Sequence, residues 1–136
     1  MAIALKYAHL CDYAGIGANG KAIAVGIFEW WMVPAGAPTI LPLCYFVARL
    51  EASFADGTDH TGAIVIRDAD AKEVWRLPIP QLRLVPVGPG RPLAATLFAL
   101  LTNVGVPGLG DYVIEVVVDD KAVGETDFSF IEAPPA

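Results

Sequence analysis

Apolar and polar residues alternate along most of this chain, and clusters of turn residues separate the alternating runs. The clearest run is Tyr112 to Asp119, in which the even positions are apolar and Glu115 lies on the opposite face. It leads through a turn at 119–121 into Val123 to Ile131, where two phenylalanines alternate with polar residues. A period of two is typical of a strand with one buried face. The two runs therefore predict a β-hairpin.

Further alternating runs predict the remaining strands. Val74 to Val85 contains Pro78 and Pro80, which confine it to a sheet edge or split it, because proline has no backbone N–H to donate. Leu93 to Val104 also fits a helical stripe of leucines, and we interpret it as a strand. The other predicted strands are Ile3 to Leu10, Ala22 to Val33, Cys44 to Phe54 and the run that contains Ile64 and Ile66.

Short strands separated by turns, without interleaved helices, indicate a sheet-on-sheet architecture. We predict an all-β fold: an antiparallel two-sheet β-sandwich, immunoglobulin-like or jelly-roll-like, of about eight strands. The 136 residues suit a single β-sandwich domain that spans residues 1–136. The predicted core residues are Phe46, Leu50, Ile64, Ile66, Tyr112, Ile114, Val116, Phe128 and Phe130.

Two of the predicted strands are apolar on both faces. Neither Ala22 to Phe28 nor Leu93 to Leu101 has the polar face of an exposed antiparallel strand. Composition points the same way, since 55% of the residues are hydrophobic and only 18% are charged, against about 25% charged in a typical domain. We expect something to cover the second face, and another chain is the leading explanation for the apolar excess.

The chain runs without a charge over 30–48 and 92–110, but we expect neither stretch to span a membrane. Three prolines interrupt the first, and turn residues shorten the apolar part of the second to about a dozen residues, against the ~20 that a span needs. A net charge of −6 and a pI near 4.7 argue against a nucleic-acid partner, which clustered Lys and Arg would bind. Without a convincing signal peptide, the expected location is the cytoplasm.

Residues 15–21 satisfy two glycine-rich nucleotide motifs, G-x-x-x-x-G-K and G-x-G-x-x-G. A working phosphate loop needs a helix after the lysine and a Ser or Thr to hold magnesium. Here Ala22 follows Lys21, and the next residues are rich in β-branched and aromatic types, which favours a strand. We therefore interpret the segment as a connection between strands and expect no nucleotide and no cofactor.

Four residues could be considered as zinc ligands: His9, Cys11, Cys44 and His60. The two cysteines do not have the close spacing of a structural zinc site. Asp12 beside Cys11 raises the pKa of that thiol, where a nucleophile needs a lower one. We expect no metal site and no catalytic residues, and hence a protein that is not an enzyme. The two cysteines are expected to be buried free thiols.

The segment 30–33 supplies the candidate interface residues, namely Trp30, Trp31, Met32 and Val33. Adjacent residues of a strand face opposite sides, so at least one tryptophan should leave the core. Trp and Met are enriched at protein interfaces. Two alternatives stay open: a loop or the neighbouring sheet covers the tryptophan, or the aromatic pair forms a platform for a sugar.

Several short motifs lie in the first 28 residues and near the end of the chain. They are Cys-Asp-Tyr-Ala at 11–14, Gly-Lys at 20–21 opening a strand that ends in Gly-Ile-Phe at 26–28, and Gly-Asp-Tyr at 110–112. Together they resemble a family of small, uncharacterised bacterial β-sandwich proteins. The resemblance implies the sandwich fold and supplies no activity. Trp30 and Trp31 are less typical of that family, which suits a partner specific to this protein.

These expectations favour a non-enzymatic structural or interaction module. Such a module would associate with itself, dock on a larger protein assembly, or both. The alternative is a β-sandwich that binds a small molecule or a carbohydrate on an aromatic platform.

Overall fold

A computed structural model describes residues 3–134 of the chain. Within this range the structure is built from strands and two short 3-10 turns. The ten strands are β1 (Ala4–Ile16), β2 (Ala22–Phe28), β3 (Trp30–Val33), β4 (Cys44–Ala52), β5 (Asp59–Arg67), β6 (Glu73–Arg83), β7 (Val85–Pro86), β8 (Leu93–Leu101), β9 (Gly110–Val118) and β10 (Lys121–Glu132).

The strands form two five-stranded sheets. Sheet A has the order β2-β1-β4-β8-β7, and sheet B has the order β3-β10-β9-β5-β6. Neighbouring strands are antiparallel, except that β3 runs parallel to β10. The predicted all-β, two-sheet fold is confirmed, with ten strands in place of about eight.

The core lies between the inner faces of the two sheets. Phe46 and Leu50 of sheet A belong to the same buried cluster as Ile64, Ile114 and Phe128 of sheet B. All nine residues that the alternation predicts for the core are buried. The period of two along β4, β5, β9 and β10 therefore determines which side chains fill the space between the sheets.

The hairpin predicted at the end of the chain is formed by β9 and β10. Asp119 and Asp120 connect the two strands and both have positive φ, at 49° and 66°. This is the backbone conformation of the tight hairpin turn whose twist matches that of the flanking strands, and Asp tolerates it. The turn places Lys121 opposite Val118, and a register shift between Ala122 and Gly124 then places Phe128 opposite Tyr112.

The segment 22–33, predicted as one strand, forms two strands in different sheets. The chain leaves sheet A after Phe28, bends at Glu29 and joins sheet B at Trp30. The sequence pattern does not show this crossing, because both faces of 22–28 and of 30–33 are apolar. β2 and β3 therefore form the same edge of the sandwich, one in each sheet.

The first hairpin also departs from the prediction. β1 continues beyond Leu10 to Ile16 and pairs with β2 as far as Ala22, whereas its pairing with β4 ends at Cys11. Residues 12–26 therefore form a two-stranded hairpin that extends past the rest of the sheet. Gly26, with φ of +69°, lies against the Asp12 side chain where the hairpin begins.

This hairpin bends back over the outer face of sheet A. Ala14 and Ala24 of the hairpin belong to one apolar cluster with Val47 and Phe98, which are on that outer face. Val47 and Cys11 are fully buried although neither side chain points into the space between the sheets. Part of the covering expected for the second apolar face is thus supplied by the chain itself. In the part of the chain that the structure describes, no helix combines the length and the hydropathy needed to cross a bilayer.

Candidate functional site

One edge of the sandwich, formed by residues 22–33, carries an unusual density of exposed apolar side chains. We call it the open edge. Glu29 is its only charged residue, and it contains no proline. Its exposed apolar side chains are Ile23, Val25, Ile27, Trp30, Trp31 and Met32.

The opposite edge, formed by β6 and β7, has a different character. We call it the proline edge. Pro78 and Pro80 lie in β6, and Pro86 lies in β7, which is only two residues long. Arg76 and Arg83 add charge to β6. Prolines, charges and very short strands are the devices by which natural sheets prevent another chain from pairing with an edge.

The strand β2 of the open edge lacks these devices. β2 pairs with β1 on one side and is the last strand of sheet A on the other. Ile23, Val25 and Ile27 lie on its outward face with exposed fractions between 43% and 55%. A two-stranded hairpin is at best marginally stable in water without further packing. The open edge is therefore both a free template for strand pairing and an apolar surface.

The four predicted interface residues alternate between the two sides of β3. Trp30 and Met32 lie beside Ser129 and Ile131 of β10, and their exposed fractions are 53% and 42%. The structure therefore places both on the outer side of sheet B. Ile131, exposed as well, joins them, and the sequence did not indicate it because its parallel pairing with β3 links distant parts of the chain.

Trp31 and Val33 lie on the inner side of β3, beside Phe130 and Glu132 in the register. Trp31 is 38% exposed and its ring packs against Phe28. Val33 is 4% exposed and belongs to the core cluster. We therefore correct the predicted site: Val33 is a core residue, because alternation gives it the side of the strand opposite to Met32.

The two tryptophans do not form a common platform. Trp30 and Trp31 lie on opposite sides of the same strand, so one sugar ring cannot stack on both. The expectation that one tryptophan leaves the core agrees with this arrangement, although Trp31 is itself more than one third exposed.

A hollow of about 690 Å³ lies between the tip of the first hairpin and the outer face of sheet A. Lys21, Arg49 and Arg83 line it, together with the aromatic rings of Tyr7 and Phe98. None of its lining residues is acidic, although the chain has 15 Asp and Glu residues. The hollow is thus a basic and partly apolar surface on an acidic protein.

The cations of this hollow are only partly neutralised. Arg49 donates a hydrogen bond to the Thr96 hydroxyl at 3.1 Å and lies 3.9 Å from Glu51. Arg83 lies 3.8 Å from Asp59, and both of those side chains are largely exposed. The exposed Arg83–Asp59 pair contributes little stability, and the Arg49–Glu51 pair, although less exposed, is long at 3.9 Å, which leaves both arginines able to bind another anion.

The glycine-rich motif lies at the tip of the same hairpin. Gly15 belongs to β1, and a 3-10 turn over Ala18–Gly20 leads directly into β2. The residues after Lys21 form a strand. The helix N-terminus that would bind phosphates in either nucleotide motif is therefore replaced by a β-connection.

The candidate zinc ligands do not converge on one site, and even the neighbouring Cys11 and Cys44 lie in different apolar clusters. Cys11 packs in the cluster on the outer face of sheet A, and Cys44 belongs to the core between the sheets. His60 is in sheet B, where it hydrogen-bonds Asp119. Among residues 3–134, no group of three His, Cys, Asp or Glu side chains has the arrangement of a metal site.

Both cysteines are buried free thiols, as predicted. Burial raises the pKa of Cys44 to about 11, and the neighbouring Cys11 and Asp12 add to the effect. Burial also raises the pKa of Cys11, with a smaller contribution from Asp12. Neither thiol is ionised near neutral pH, which is the opposite of what a nucleophilic cysteine requires.

The chain belongs to a protein family. Residues 6–131 match the Family of unknown function (DUF6941), and this match covers most of the sequence. A search of curated proteins finds no match. The family membership agrees with the resemblance to an uncharacterised family and assigns no activity to any residue.

Proposed function

We propose that this member of the DUF6941 family is a non-enzymatic interaction module that binds another protein chain along its open edge. The observation that carries the proposal is the contrast between the two edges of one sandwich. β6 and β7 hold the prolines and arginines that prevent strand pairing, whereas β2 and β3 hold exposed apolar residues, and the one charge of the open edge, Glu29, lies between them. An edge without such protection is a surface suited to a partner.

The mode of binding follows from the chemistry of a free strand. The outward N–H and C=O groups of β2 would hydrogen-bond an extended segment of the partner, and the alternate side chains Ile23, Val25 and Ile27 would supply specificity. Trp30 and Met32 would anchor the adjoining surface, because large buried Trp side chains carry much of the binding energy at interfaces. The two parts of the open edge are continuous in the chain, so one partner can engage both.

Two kinds of protein partner suit the open edge. A second copy of the chain and a larger protein assembly both suit an apolar strand edge. We also propose that the protein is bacterial and located in the cytoplasm. We propose further that the motif pattern described above is shared by its family. The net charge of −6 argues for a protein partner and against the phosphate backbone of a nucleic acid.

Site-specific photo-cross-linking tests the proposal in the native host. A benzophenone amino acid replaces Val25 on the open edge, and in a second strain it replaces Val85 in β7 on the proline edge. The two residues have similar exposed fractions, 55% and 43%, which makes the second a matched control. We expect cross-linked protein adducts from position 25 and none, or far fewer, from position 85.

Equal cross-linking at the two positions would contradict the proposal, because it would show that exposure alone determines contact. The absence of adducts at position 25 would contradict it as well. Immunoblotting of the adducts with an antibody to the chain separates self-association from docking, since an adduct of two copies has twice the mass of the chain.

The hollow beneath the hairpin favours a second candidate function, the binding of a small organic anion. Arg49 and Arg83 would meet a carboxylate or phosphate, while Tyr7 and Phe98 would contact an apolar body. Calorimetric titration with phenyl phosphate tests it, with Arg49→Gln and Arg83→Gln as variants and Arg76→Gln, outside the hollow, as control. Saturable binding that both variants weaken and the control retains would support this function, and its absence would remove it.

A further inference from the structure

We infer that the partner of the open edge is a second copy of this chain, with the two β2 strands paired antiparallel about a two-fold axis at Val25. The inference rests on the proposed function and names its partner. It joins the two copies of sheet A into one continuous sheet. Isologous pairing of this kind is the commonest form of soluble oligomer.

Charge complementarity selects the register. Lys21 precedes β2 and Glu29 follows it, and the residues between them carry no charge. Two antiparallel strands with Val25 facing Val25 place each Lys21 opposite the second copy's Glu29, since both lie four positions from the axis. The only two charges that flank the strand thus neutralise each other at both ends of the interface.

The side chains between these charges are complementary as well. In this register Ile23 faces the second copy's Ile27, and the two Val25 side chains meet at the axis. Ile23, Val25 and Ile27 lie at alternate positions of β2, and Lys21 and Glu29 directly precede and follow this strand. Apolar cross-strand pairs of this type stabilise a sheet, and each of the three side chains is exposed in the single chain.

Both charges are available for the pairing. Within the described residues 3–134, the ion pairs closer than 4.0 Å involve other side chains than Lys21 and Glu29. Lys21 and Glu29 are both exposed. Forming the dimer would therefore break no ion pair of the described chain.

Other registers are worse on physical grounds. A shift of the axis to Ile23 sets Lys21 against Val25, and a shift to Ile27 sets Val25 against Glu29, so each brings a charge onto an apolar residue. A shift by a single position pairs the odd positions of one β2 with the even positions of the other. Ile23, Val25 and Ile27 would then face Ala22, Ala24 and Gly26 of the second copy.

Charge reversal tests the register. Lys21→Glu gives like charges at both ends of the interface, and so does Glu29→Lys, so each variant alone should raise the dimer dissociation constant by about tenfold or more. An equimolar mixture of the two variants restores opposite charges at both ends. We expect the mixture to form heterodimers, seen as a mixed mass in native mass spectrometry, while Lys72→Glu, away from the open edge, leaves dimerisation unchanged.

Cysteine cross-linking provides an independent measurement of the axis. Two Val25→Cys side chains would face each other and form an intermolecular disulfide under mild oxidation. Ile23→Cys would not, because four positions along the strand separate it from its copy, well beyond the reach of a disulfide. The native Cys11 and Cys44 are buried and do not compete.

The outcomes separate this inference from the proposed function. Heterodimers in the mixture and a disulfide at position 25 alone would support the inference. Dimers of both single variants, or a disulfide at position 23, would overturn it and leave an interaction through the open edge to be judged by photo-cross-linking. A wild-type chain that stays monomeric while photo-adducts form with another protein would also overturn the inference without affecting the proposed function.

Discussion

The ring of Trp31 packs against the ring of Phe28, with the ring centroids 5.9 Å apart. The ring of Phe28 in turn packs against that of Phe128 in the core, with a centroid distance of 5.8 Å. The contact links the end of β2 in sheet A to the start of β3 in sheet B. It holds together the point at which the chain crosses from one sheet to the other. Trp30, on the opposite side of β3, takes no part in the aromatic contacts found in residues 3–134.

The two tryptophans should therefore differ in what they stabilise. Trp31→Ala should lower the free energy of unfolding by about 2 kcal/mol, less than for a fully buried tryptophan because its ring is partly exposed. Trp30→Ala should change stability by less than about 0.5 kcal/mol and weaken association by about 2 kcal/mol. Urea unfolding measures the first effect, and light scattering at increasing protein concentration measures the second. Similar effects of both variants on both measurements would contradict the assignment.

His60 predicts a dependence of stability on pH. Its Nδ1 lies 2.6 Å from the Asp119 carboxylate and its Nε2 lies 2.9 Å from the Gly57 carbonyl oxygen, and its side chain is 5% exposed. Burial lowers the pKa of His60, but the hydrogen bonds to Asp119 and Gly57 outweigh this effect, so the pKa is raised overall. Both ring nitrogens face acceptors, which suits the protonated ring.

A raised pKa in the folded state stabilises the protein when the histidine is protonated. This contribution is fully present below the unfolded pKa of about 6.5 and is lost as the pH rises through the folded value. We expect the free energy of unfolding to fall by about 1 kcal/mol between pH ~6 and ~9. The fall is small because the Asp119 side chain is half exposed, so that solvent screens its interaction with His60. His60→Gln should remove this fall, and an unchanged profile in the variant would exclude His60 as its source.

Gly26 should be required for the bend of the first hairpin. Its φ of +69° is disfavoured for a residue with a side chain, and a Cβ there would overlap the Asp12 carboxylate. We expect Gly26→Ala to lower the free energy of unfolding by more than about 1 kcal/mol. Gly36→Ala is a matched control, since Gly36 has a φ of +76° with nothing near its Cβ position. Equal losses in the two variants would show that backbone strain acts alone, without crowding by Asp12.

The alternation of residues predicted the core because it depends on local geometry. Side chains of β4, β5, β9 and β10 alternate between the core and the outside, so Phe46, Ile64 and Phe128 could be assigned from sequence alone. The proline pair likewise indicated that β6 is an edge strand, because Pro78 and Pro80 cannot donate hydrogen bonds to a neighbour. These properties reside in single strands.

The remaining features depend on contacts between distant segments. The phase of the alternation changes at Glu29, since Phe28 and Val33 both face the core although their positions differ by an odd number. Both faces of 22–33 are apolar, so the sequence does not reveal this change and the segment resembled one strand. Ala14 and Ala24 of the hairpin cover Val47. Small residues such as alanine form no sequence pattern from which this contact could be predicted. The candidate site was therefore predicted in part: Trp30 and Met32 are exposed at the edge, whereas Val33 is buried and Ile131 joins them through a parallel pairing.

The central claim is that the open edge binds a second copy of the chain and the proline edge does not. Light scattering coupled to size exclusion, from low to high micromolar concentration, tests it most directly on the wild-type chain, on Val25→Lys and on Val85→Lys. A lysine on a free strand opposes pairing, so we predict a wild-type molar mass that rises towards twice that of the monomer, a Val25→Lys chain that stays monomeric, and a Val85→Lys chain that behaves as the wild type. Wild-type and Val25→Lys chains that associate equally would contradict the claim.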